Sequence, residues 1–72
     1  MGASNELWDL YEEQCSKLMR LASKIRVNLQ FSSLGIDHST LKKIDELRDK
    51  FASELIELNK IITLIEQEEE DN

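Results

Sequence analysis

The sequence predicts an all-α protein, an antiparallel two-helix hairpin of coiled-coil type, completed to a four-helix bundle by self-association or by partner helices. Three observations carry that expectation. The chain has no proline and only two glycines, so little interrupts a helix. Two long stretches place apolar residues at alternating spacings of three and four, the signature of a helical seam. Gly35 lies between those stretches, where a chain reversal needs it.

Residues 1–4 read as a flexible lead-in. They lack the charged-then-apolar layout of a signal peptide, and Glu6 stands where a myristoylation signal wants Ser or Thr. A helix is expected over 5–32, capped by Ser4 or Asn5, with Glu6 and Asp9 where the helix dipole favours acids. Trp8, Tyr11, Cys15, Leu18, Ala22, Ile25 and Leu29 form its seam. Leu7, Met19 and Leu21 widen that stripe. Small residues in its middle let a neighbouring helix approach closely.

The turn falls at 33–38. Gly35 takes the left-handed position after the first helix, and Leu34 and Ile36 close the corner. Asp37 or Ser39 caps the second helix, expected over 39–66. Its stripe is Leu41, Ile44, Phe51, Leu55, Leu58, Ile62 and Ile65, with Arg48 at the one skipped position. Leu47, Ala52 and Ile61 flank it. Arg48 either packs its stem while its head reaches water, or fixes register against an acid across an interface. At a rise of about 1.5 Å per residue, each helix is roughly 40–45 Å long. Folding back brings Phe51 and Leu55 near Ala22 and Leu18, bulky against small. Residues 67–72 read as an acidic tail that frays, since acids at a helix C-terminus oppose the dipole.

The net charge of −6 is unevenly placed. Residues 16–50, the loop half, hold eight bases against four acids. The other half holds eleven acids and one base, Lys60. The hairpin is therefore positive at its loop and negative at its open end. A second copy packs more comfortably head-to-tail than with like ends together. Exposed pairs contribute only about 0–1 kcal/mol each, so charge chooses orientation while apolar burial supplies affinity.

Catalytic and ligand-binding signatures are missing from the pattern. No glycine-rich loop cradles a phosphate, and one cysteine with one histidine is too little for a structural zinc site or a disulfide. No catalytic residue, cofactor or metal ligand is assigned. His38 reads as a helix-start residue and Cys15 as a small apolar seam residue. Trp8 and Tyr11 stand among Asp9, Glu12 and Glu13, which repel phosphate, so they read as packing rather than base-stacking residues. The helix–turn–helix layout with Leu34-Gly35 at its turn is superficially similar to small sporulation phosphatases marked by a Ser-Gln-Glu-Leu-Asp motif. Ile44-Asp45-Glu46-Leu47-Arg48 matches that motif only at Glu46 and Leu47, and no functional residue carries over.

A chain of 72 residues buries a marginal core and lacks the usual staples. The expected role is therefore a non-enzymatic interaction module that oligomerises or docks into a coiled-coil or bundle complex. Its partner is protein, as a homodimer or a helical partner subunit. The interface residues are Trp8, Tyr11, Leu18, Met19, Leu21, Leu47, Arg48, Phe51, Leu55, Leu58, Ile61, Ile62 and Ile65. The alternative is a small regulator that binds nucleic acid through Lys17, Arg20, Lys24, Lys42, Lys43 and Lys50, or that inhibits a partner by acidic mimicry. Nucleic acid is the less favoured, because the loop half is only moderately basic. The longest apolar run is too short for a bilayer, and the lone cysteine fits an intracellular setting, cytoplasmic or nuclear.

Overall fold

A computed structural model describes residues 4–32, 35 and 37–70. Two helices make up the fold: α1 over Asn5–Ser32 and α2 over His38–Glu70. They fold back on each other as an antiparallel hairpin with Cα extents of 54 × 14 × 14 Å. The molecule is two helix diameters wide at most, and it has one shallow seam in place of a globular core.

Local chemistry sets the start of each helix. Ser4 caps α1: its Oγ accepts from the Leu7 amide at 3.3 Å, and its carbonyl accepts from Trp8 at 3.2 Å. Asp37 caps α2: its Oδ1 accepts from the Thr40 amide at 2.8 Å, and its carbonyl accepts from Leu41 at 3.2 Å. The Thr40 amide and hydroxyl, with a smaller contribution from Ser39, favour the ionised carboxylate, so Asp37 titrates below the usual 3.8. Gly35 has φ +132°, a conformation that L side chains rarely adopt. A Cβ there meets nothing within 4 Å, so strain alone, with no steric clash, selects glycine. The expected corner contacts of Leu34 and Ile36 lie outside the described residues. At the other end, α2 continues through Glu70, past the expected boundary at 66. Glu68 accepts a 2.8 Å bond from the Ser4 amide, which ties this last turn to the start of α1.

The seam departs from the expected one by a single helical position. In α1 the covered line is Leu7, Tyr11, Gln14, Leu18, Leu21, Ile25 and Asn28. In α2 it is Thr40, Ile44, Leu47, Phe51, Glu54, Leu58, Ile61, Ile65 and Glu68. The most buried apolar residues are Leu18, Leu47 and Ile65. Trp8, Leu29, Leu41 and Leu55, expected inside, are exposed, as are Ala22 and Arg48. Leu21, Leu47 and Ile61, expected as flanks, line the seam instead. The cause is an overlap of two periodic patterns. Tyr11, Leu18, Ile25, Ile44, Phe51, Leu58 and Ile65 belong to both. The alternate positions decide which pattern faces inward, and here they include polar residues that match across the hairpin. Gln14 is 6% exposed and donates from Nε2 to the Glu54 carbonyl at 2.8 Å and to its carboxylate at 2.5 Å. A buried amide with a charge-assisted partner is satisfied, so it can occupy a seam.

Candidate functional site

The rotated seam gives the hairpin two different sides. One position before Tyr11, Leu18 and Ile25 stand Leu10, Lys17 and Lys24; one position before Ile44, Phe51 and Ile65 stand Lys43, Lys50 and Leu64. These residues border shared grooves, with Lys24 beside Lys43 and Lys50, Lys17 beside Lys50, and Leu10 beside Leu64. They therefore occupy one side, which carries lysines through its middle, the exposed Leu10 and Leu64 towards the open end, and Phe31 and Glu57 at the same seven-residue steps. The positions left for the opposite side follow the remaining seam residues. They are Trp8, Cys15, Ala22 and Leu29 in α1, and Leu41, Arg48, Leu55 and Ile62 in α2. Seven of those eight are apolar.

This apolar side is the candidate site. Trp8 is 42% exposed, Leu29 52%, Leu41 46% and Leu55 40%, while Cys15 and Ile62 are half-buried. Trp8 stands edge-on to Tyr11, with ring centroids 5.7 Å apart. One turn on, the Cys15 thiol, as a hydrogen-bonding neighbour, pushes the Tyr11 hydroxyl above its usual 10.0. Next to these residues lie Met19, 70% exposed, and Ala52, also exposed. The middle of the side is thus built from Cys15, Met19, Ala22, Ala52 and Leu55, mostly small or pliable groups. Such a surface lets another helix come close.

Its charges divide by sign along its length. Arg26 and Arg48 lie on the loop side of the Gln14–Glu54 level. Arg48 pairs with Asp45 at 3.3 Å, both side chains being more than half exposed, so it reaches along its own helix to water. Glu12 and Glu66 lie towards the open end. No described group of histidine, cysteine and carboxylate side chains is arranged to hold a metal ion.

Among the thirteen expected interface residues, the structure separates two sets. Tyr11, Leu18, Leu21, Leu47, Phe51, Leu58, Ile61 and Ile65 face the seam within the hairpin. Trp8, Met19, Arg48, Leu55 and Ile62 lie on the apolar side or its border. The pattern also hid Leu29, Leu41, Gln14 and Glu54. Their signal was the seven-residue step that joins Leu7, Gln14, Leu21 and Asn28, a second seam one position from the first. Of the six cations expected in one basic surface, Lys17, Arg20, Lys24, Lys43 and Lys50 border the grooves of the opposite side. No described helix is long and apolar enough to cross a membrane. No family model, curated protein or solved structure matches the chain.

Proposed function

We propose that the chain is a non-enzymatic assembly module whose apolar side packs against further helices to complete a bundle. One observation carries this reading. The hairpin hides a seam containing Gln14 and Glu54 while leaving Trp8, Leu29, Leu41 and Leu55 substantially exposed. Exposed apolar side chains gathered on one side are a feature of contact sites. A hairpin in which three of the described aliphatic side chains are well buried is also short of stabilising burial, which added helices supply.

Size-exclusion chromatography with light scattering, beside thermal melts at several concentrations, tests the module. A mass above that of one chain and a melting temperature that rises with concentration are expected. A monomer that melts cooperatively at micromolar concentration overturns the reading.

A second reading draws on the opposite side, where Lys17, Lys24, Lys43 and Lys50 border two adjoining grooves that Glu46 and Glu54 also line. Such a row suits a phosphate backbone. Fluorescence anisotropy with a labelled oligonucleotide, repeated as salt rises, tests it. Affinity must fall steeply with salt, and no binding at low salt rules the reading out.

A further inference from the structure

Resting on the assembly reading, we propose that the helices covering the apolar side belong to a second copy of this chain, docked end over end with the two loops at opposite ends. The side carries its own complement. Glu12 and Glu66 stand towards the open end, and Arg26 and Arg48 towards the loop, where Asp45 pairs with Arg48 and leaves Arg26 as the net charge. The halves behind them repeat the polarity, eight bases against four acids in residues 16–50 and eleven acids against one base elsewhere.

Face-to-face packing of identical surfaces allows two two-fold arrangements. With the axis along the hairpin, the loops lie together and the two acid-rich ends meet. With the axis across it, near Cys15 and Met19, each loop half meets an acid-rich half. Then α1 lies along the partner's α1, and α2 along the partner's α2, all antiparallel. Trp8 comes to the level of the partner's Leu29, and Ile62 to that of the partner's Leu41. The small middle, around Ala22 and Ala52, falls at the crossing. Like charge at both ends opposes the loops-together form, so long-range electrostatics selects the orientation.

Two measurements on the full chain test this. Light scattering should give twice 8.4 kDa, with Ala22→Glu returning the mass to one chain while helical circular dichroism is retained, and Ser16→Glu, on the outer surface of α1, leaving the dimer intact. Spin labels at Ser39→Cys in a Cys15→Ser background should lie roughly 40 Å apart if the loops are opposed, or about 20–25 Å if they are together, given a helical rise of about 1.5 Å and helix diameters of about 10–12 Å. The dimer mass, its loss in Ala22→Glu and the long distance support the inference. A short distance, or a dimer that survives Ala22→Glu, overturns the inference and leaves the assembly reading standing. A cooperatively melting monomer overturns both.

Discussion

At the scale of single residues, the Gln14–Glu54 pair matters most to register. It is a polar tie inside an apolar seam, and such ties specify alignment more than they add stability. Gln14→Ala removes a hydrogen bond to a charged group, and a loss of about 1.5–3 kcal/mol is expected from urea unfolding. Asp37 makes a different kind of contribution. Its folded-state pKa lies below the unfolded 3.8, so its cap is at full strength above that value and is lost as pH falls through the lower one. Asp37→Ala should lower the melting temperature at neutral pH and leave it nearly unchanged at the most acidic pH, a difference that parallel thermal melts read directly. Gly35→Ala forces a side chain onto φ +132° and should cost about 1 kcal/mol or more, although the space around it is empty.

At the scale of the helix, burial separates residues that look alike in sequence. Leu18 and Leu47 are about 8–9% exposed, while Met19 and Arg48 beside them stand in water. Leu18→Ala and Leu47→Ala should each cost about 2 kcal/mol, the lower end for buried leucines because the seam is shallow. Arg48→Ala should change hairpin stability by only a few tenths of a kcal/mol, since its pair with Asp45 is exposed and local. Urea midpoints of the three variants, with unchanged slopes, check this ordering. Both helices and their turn were legible in the sequence, because the absence of proline, the cap residues and Gly35 act locally. The inward face was not legible. Tyr11, Leu18 and Ile25 fit two stripes equally well, and choosing between Cys15 and Gln14 as their companion requires knowing that Glu54 stands opposite.

At the scale of the whole molecule, the fold is asymmetric across its long axis. One side carries Trp8, Leu29, Leu41 and Leu55, the other carries lysines beside exposed Leu10, Phe31 and Leu64, and the seam between them buries few of the described residues. In the proposed assembly, covering the apolar side adds to the hairpin's stability. Its melting temperature should therefore follow concentration, and Ala22→Glu should abolish that dependence while a matching change at Ser16 does not.

The sequence by itself determined the two helices, the site of the reversal and the opposed charges of the two ends. Each of these follows from residue type, spacing along one helix, or position along the chain. The tertiary pairing alone decided that Gln14 and Glu54 face inward and that Trp8, Leu29, Leu41 and Leu55 remain outside. Two heptad stripes one position apart are nearly equivalent on an isolated helix. In the hairpin one becomes the seam, where Gln14 meets Glu54 and Leu21, Leu47 and Ile61 are covered beside them, and the other becomes a surface.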